Sequence, residues 1–162
     1  LQQSDVLSMK ALGGVFTIVF IVIASRLSDR LGRRRVLIWG NIVGIVLAFP
    51  VMWLLEMGSA MAFMVAIILG LSLVQGFTAG PYGAYAGELF PTHVRYSGAS
   101  IGYQMAAVLG AGFTPMMATA LAAAGGGSLH LVAILWMSFT AISLISLVLS
   151  QDVSKREIHE LS

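Results

Sequence analysis

The sequence has 162 residues, of which 58% are hydrophobic and only 10% are charged. Soluble domains carry about 25% charged residues, so this composition cannot cover a surface that faces water and is typical of membrane proteins. A net charge of +2 argues against nucleic acid as a partner, and the absence of cysteine excludes disulfides and thiolate metal sites.

Five stretches are long and apolar enough to form the roughly 20-residue helices that cross a bilayer core about 30 Å thick. The short connections between them predict that neighbouring helices are antiparallel. We therefore expect an all-α integral membrane fold with five transmembrane helices and a tail over residues 151–162. The predicted spans cover approximately residues 9–25, 36–55, 60–86, 97–123 and 129–150.

The connection between the first two spans, residues 25–35, contains five arginines and one aspartate. One arginine at the bilayer centre costs about 2.5–3.5 kcal/mol, so five together would cost on the order of 12 kcal/mol. These side chains must stay in water, and positively charged loops are retained in the cytoplasm. Alternation from this loop puts every Lys and Arg except Lys10 on the cytoplasmic side. The N-terminal end is then outside, and the tail is cytoplasmic.

Two acidic residues near this surface suggest more than a topology signal. Asp29 can pair with arginines across the loop or face the positive end of a neighbouring helix, and Gly32 permits a sharp turn. Glu88 ends the third span at the same surface, so we expect it to meet the arginines. The alternative is a loop with an incidental ion pair.

Small residues recur at four-residue intervals on two of the spans, which places them on one helix face in each case. In the fourth span, close helix packing explains the stripe, and a rocking or sliding interface would use the same residues. The stripes are Gly76, Gly80 and Ala84 followed by Glu88 in the third span, and Gly98, Gly102, Ala106 and Gly110 in the fourth.

The spans contain polar residues but no certain acid or base, so the sequence shows no obvious proton relay. Each polar residue can satisfy a neighbouring backbone, and those in glycine-rich spans can instead line a cavity. The cavity candidates are Gln75, Tyr82, Tyr103 and Gln104, with Asn41 and Tyr85 as further polar residues.

The segment "GASIG" matches a hydrolase motif, but that motif requires a turn from strand to helix, and this segment opens a membrane helix. Its Ser100 lies at the opposite end of the spans from His130. The sequence therefore predicts no enzyme, no catalytic residues, no metal site and no cofactor.

Two segments resemble the major facilitator superfamily. "RLSDRLGRRR" is similar to the loop after the second and eighth helices of these transporters, although Ser25 stands where a glycine is usual. "GELFPTHVRYSGASIGYQ" resembles the link between the tenth and eleventh helices, especially in metabolite:proton symporters. The resemblance implies helices eight to twelve of a twelve-helix carrier, with the N-terminal half of that carrier as a missing partner.

The resemblance also implies proton symport of a small organic solute across the plasma membrane by alternating access, with the proton-carrying residue in the absent half. The solutes of such symporters include dicarboxylates, shikimate, proline and betaine. The cavity candidates above would then face the solute. The implied cytoplasmic gating network comprises Asp29, Arg30, Arg33, Arg34, Glu88 and Arg95.

A different interpretation is a five-span accessory or scaffold protein without transport activity. Five spans with an outside start, and Leu1 in place of methionine, favour a fragment. Seven more spans encoded upstream would favour the carrier, and a nearby start codon would favour the accessory protein.

Overall fold

The computed structural model describes residues 3–91 and 93–150. Within these residues the secondary structure is helical, without strands, and five helices are long and apolar enough to cross a membrane. This confirms the expected fold class. The helices are α1 (Gln3–Leu31), α2 (Arg33–Glu56), α3 (Ala60–Glu88), α4 (Arg95–Ala124) and α5 (His130–Leu149). The predicted tail, residues 151–162, lies outside the described part of the chain.

Helix α1 is longer than the apolar span that it contains, and begins and ends among polar residues. It starts six residues before the predicted boundary and continues through Asp29 and Arg30. Hydropathy marks only the part of a helix that suits hydrocarbon, whereas the helical hydrogen bonds continue into water. The arginines are therefore held on helix ends rather than on a loose loop.

A single residue, Gly32, separates α1 from α2. Its φ of 94° lies in the left-handed region that favours glycine, and its N–H donates to the Ser28 carbonyl at 2.9 Å. The chain reverses direction here without a longer connection. Arg33, Arg34 and Arg35 consequently form the first turn of α2.

Helix α2 is the centre of the bundle. It packs against α5, α3 and α1. Val36, Leu37, Ala48 and Val51 on α2 are almost completely buried. Helix α4 has no buried residue and contacts mainly α3 and α5, so it lies at the periphery of the described bundle.

The middle of α3 is π-helical over Ile67–Val74, and this wider segment contacts α1. Ser72 is fully buried there, and its hydroxyl donates to the Gly13 carbonyl at 2.8 Å. The Thr17 hydroxyl lies 2.9 Å from the same carbonyl and 3.3 Å from Ser72 Oγ. These short polar side chains join α1 to α3 at a depth where water is scarce.

The small residues of α3 lie where α1 packs closely against this helix. A Cβ atom added at Gly76 would lie 2.5 Å from Phe20 Cβ, and one at Gly80 would lie 3.0 Å from the Ile21 carbonyl oxygen. The stripe on α4 differs. A Cβ added at Gly98 would lie 2.5 Å from Phe90 Cδ1, whereas one at Gly102 or Gly110 would meet no described atom within 4 Å, so close packing explains only the start of the α4 stripe.

Replacing Gly76 with alanine should force α1 away from α3, because the new methyl group would overlap Phe20. We expect Gly76→Ala to lower the stability of the folded protein by about 1–3 kcal/mol, as overpacking usually does. The measurement is thermal unfolding in detergent. Gly110→Ala is the matched control, since a Cβ there meets open space. Equal stability of the two variants would contradict the close approach of α1 and α3.

Candidate functional site

Arg33 joins three helix ends at the arginine-rich end of the bundle. Its Nη1 donates a hydrogen bond to Glu88 Oε1 at the end of α3, and its Nη2 lies 3.8 Å from Asp29 Oδ1 in α1. Asp29 is four residues earlier in the chain, and the turn at Gly32 keeps both side chains at one surface. The side chains of Arg33 and Glu88 are 34% and 40% exposed, so the pair is partly hydrated.

Arg34 connects the same surface to α5. Its Nε and Nη2 each donate a 2.8 Å hydrogen bond, to the carbonyls of Leu147 and Val148 respectively. The last carbonyls of a helix lack intrahelical partners and carry the negative end of the helix dipole, so a guanidinium stabilises them. We call Asp29, Arg33, Arg34 and Glu88 together the arginine latch.

The other two residues of the expected gating network lie apart from this latch. Arg30 is exposed and makes no hydrogen bond or ion pair with the residues that the structure describes. Arg95 donates from Nε to the Phe90 carbonyl at 3.4 Å and lies over Gly87. Over residues 3–91 and 93–150, Arg95 has no ion pair with Asp29 or Glu88.

A cavity of about 360 Å³ lies beside the latch, between α2, α3, α4 and α5. Tyr82 and Tyr103 line it, as does Asn41. Gln75 and Gln104 are exposed residues outside its lining. Of the four side chains predicted to line a cavity, Tyr82 and Tyr103 line this cavity, and the other two do not.

The polar groups of the cavity differ in how far they are already hydrogen-bonded. Asn41 is 4% exposed, and its amide nitrogen donates to the Leu37 carbonyl at 2.8 Å. The Tyr85 hydroxyl is hydrogen-bonded to Ser150 Oγ. The hydroxyls of Tyr82 and Tyr103 make no hydrogen bond within the described residues. Two phenol groups are therefore available to a ligand.

The chemistry of the lining is neutral. Its polar groups are phenols, serine and threonine hydroxyls and one amide, and none of the described lining residues is charged. Three or more potential metal ligands do not cluster anywhere in residues 3–91 and 93–150. The cavity suits a small organic molecule held by hydrogen bonds and aromatic contact.

Sequence reasoning did not find the contacts of Arg34 or the bond between Tyr85 and Ser150. It also missed Glu56 at the opposite end of the bundle, which accepts hydrogen bonds from the Leu129 N–H and from Ser128 Oγ. Each contact joins elements remote in sequence, and the packing of α2 against α5, with Tyr85 of α3 beside Leu147, brings them together. The one signal available in the sequence was the alternation of the spans across the membrane, which places Glu56 and the start of α5 at the same surface.

The chain is similar to known transport proteins. The family described as "Sugar (and other) transporter" matches residues 1–161. The shikimate transporter of Escherichia coli strain K12 is 37% identical over 126 residues, which cover 78% of this chain and 29% of that protein. The citrate-proton symporter of Klebsiella pneumoniae is 32% identical over 142 residues, covering 88% and 32% respectively.

The proline/betaine transporter of Escherichia coli strain K12 is 30% identical over 132 residues, which cover 82% of this chain and 26% of the relative. The chain thus spans less than a third of the length of each of these three relatives. No solved structure matches it significantly.

Reversing the charge of Glu88 should weaken the latch, and reversing Arg33 as well should restore part of the loss. The pair is partly exposed, so we expect a coupling free energy of about 0.5–1 kcal/mol from a double-mutant cycle with Glu88→Arg and Arg33→Glu. Thermal unfolding in detergent measures it. Arg35→Glu is the matched control because Arg35 lies outside the latch. Equal rescue by both arginine variants would contradict the assigned pairing.

Proposed function

The chain belongs to the sugar (and other) transporter family of the major facilitator superfamily, and from this premise we propose that it forms part of a secondary carrier for a small organic solute. It would supply helices eight to twelve of a twelve-helix bundle. Support comes from the match over residues 1–161, the partial coverage of longer relatives and the five apolar helices. The proposal includes no enzymatic activity. The observation that carries it is the latch beside a neutral cavity.

The arginine latch would act as the gate at the cytoplasmic surface. Arg33 holds the turn between α1 and α2 to the end of α3, and Arg34 holds it to the end of α5. Partly exposed ion pairs are worth about 1 kcal/mol or less, so they can break and re-form as a carrier changes conformation. In this proposal the pairs form when the carrier opens outward and separate when it opens inward. Arg30 and Arg95 would join the network only in another conformation.

The cavity would form one wall of the solute path. Tyr82, Tyr103 and Asn41 offer hydrogen-bonding groups to a polar solute. Gln75 and Gln104 remain candidates for a part of the path that the rest of the carrier completes. Relatives named for shikimate, citrate and proline/betaine suggest a carboxylate or zwitterion as the solute class.

A carboxylate needs an opposite charge or strong donors when it leaves water. The described lining carries no positive side chain, so the missing half of the carrier would supply the counter-charge. The same half would hold the proton-coupling acid, since the described lining contains no carboxyl group either. One relative is named as a proton symporter, which favours proton coupling here.

The proposed location is the plasma membrane, because one relative is named as an inner membrane transport protein. In the proposed orientation within this membrane, the arginine latch and the tail of residues 151–162 face the cytoplasm. The N-terminal end of the chain faces outside. The distribution of positive charge supports this assignment.

Uptake by membrane vesicles containing the full gene product tests the proposal. A panel of labelled carboxylates and betaines should contain at least one solute whose accumulation rises when the outside is made acidic. A protonophore should abolish that rise, and vesicles without the protein provide the background. Uptake that requires sodium instead would contradict proton coupling. Background uptake for every solute would contradict transport of this solute class.

Replacing Asp29 with asparagine should cut uptake while leaving membrane insertion intact, because the carboxylate partner of Arg33 in α1 is lost. We expect up to about a fivefold drop in initial rate, which corresponds to the roughly 1 kcal/mol of an exposed ion pair, and Asp29→Glu should keep part of the activity because it retains the charge. The amount of the variant protein and its monodispersity after solubilisation in detergent serve as controls for folding. Wild-type uptake by Asp29→Asn at a normal protein level would remove Asp29 from the gate.

A further inference from the structure

A second, smaller cavity of about 110 Å³ opens between α2 and α3, separate from the solute cavity. All of its lining is apolar, so it offers no hydrogen bond to a polar solute. Trp39, at its edge, is 65% exposed. We call this space the Trp39 groove, and its lining consists of Trp39, Gly40, Val43, Leu73, Val74 and Phe77.

The floor of the groove is set by Gly40. A Cβ atom there would lie 3.3 Å from both the backbone carbon and the Cβ of Phe77, so α2 and α3 approach closely at this level. Trp39 and Phe77 are the largest side chains of the lining. Because the lining is apolar, the space suits part of a hydrocarbon chain.

Positive charge lies next to this groove, on the side nearer the arginine-rich end of the bundle. Arg35 precedes Trp39 by four residues and shares its helix face, about 6 Å closer to the arginine-rich end. Arg35 is exposed and makes no hydrogen bond or ion pair with residues 3–91 and 93–150, unlike its neighbours Arg33 and Arg34. Arg26 and Arg30 are also exposed, without such partners in the described chain, and add to the positive potential of the same surface.

We infer that Arg35 and the Trp39 groove together bind an anionic phospholipid such as phosphatidylglycerol. The lipid phosphate lies at Arg35, and one acyl chain enters the groove past Trp39. The order of groups along the helix matches that of a lipid in a leaflet: charge at the surface, an aromatic ring at the boundary and apolar side chains deeper. Charge complementarity selects the anionic headgroup, whereas the groove alone would accept any acyl chain.

The affinity test uses the full gene product in detergent, titrated with phosphatidylglycerol or phosphatidylcholine of identical acyl chains and read by native mass spectrometry. Phosphatidylglycerol should bind at least fivefold more tightly. Arg35→Gln should weaken its binding about fivefold, as expected from roughly 1 kcal/mol per basic residue at a lipid surface. Arg35→Lys should retain most of the binding. Lys10→Gln, at the opposite end of α1, is the control and should have no effect.

The location test uses phosphatidylglycerol with a photoreactive acyl chain, and mass spectrometry of the labelled peptides. Labelling should map to Trp39 and to Leu73–Phe77. Leu73→Trp, which fills the groove, should reduce it severalfold, and Val46→Trp, on α2 outside the lining, should not. Equal binding of the two lipids, unchanged binding by Arg35→Gln, or labelling confined to other helices would overturn the inference. Labelling would also be confined to other helices if another segment of the protein filled the groove.

Discussion

The hydration of five guanidinium groups is the constraint on which the rest of this structure depends. Since none of them can enter hydrocarbon without a large cost, the α1–α2 turn is fixed at one membrane surface. The turn is a single glycine, so the arginines that follow it lie on the rigid first turn of α2. From there Arg33 reaches the end of α3 and Arg34 reaches the end of α5. One hydrated cluster thereby sets the relative positions of four helix ends.

The bundle is held differently at its surface and in its middle. At the arginine-rich end the contacts are partly hydrated ion pairs, which are individually weak and easily exchanged. In the middle, Gly76 brings α3 against Phe20 of α1, and buried Ser72 donates to the Gly13 carbonyl. Such contacts leave little room for helices to separate. The middle of the bundle is therefore the more rigid part, and the contacts between the charged helix ends are the ones that exchange most easily.

The sequence was sufficient for features set by the solvent. Hydropathy predicted the five helices, and the shared surface predicted that Glu88 meets the arginines, although not which one. The sequence was insufficient for contacts that depend on how the helices pack against one another. The hydrogen bonds of Arg34 to α5 depend on the neighbour that α2 acquires, and Asn41 reaches the cavity only because α2 borders it. Two similar glycine stripes behave differently for the same reason: α1 covers Gly76, whereas no described atom lies near a Cβ at Gly102.

The latch and the cavity between α2, α3, α4 and α5 share a wall, which gives them a direct physical connection. Leu147 lines the cavity with its side chain, and its carbonyl accepts the hydrogen bond from Arg34 Nε. Leu37 and Tyr85 pack with Leu147 in one buried cluster, and both also face the cavity. A ligand that displaced these side chains would press on the end of α5, and release of Arg34 would free the same part of the cavity wall. In the proposed carrier, this three-residue cluster would connect solute binding to the gate.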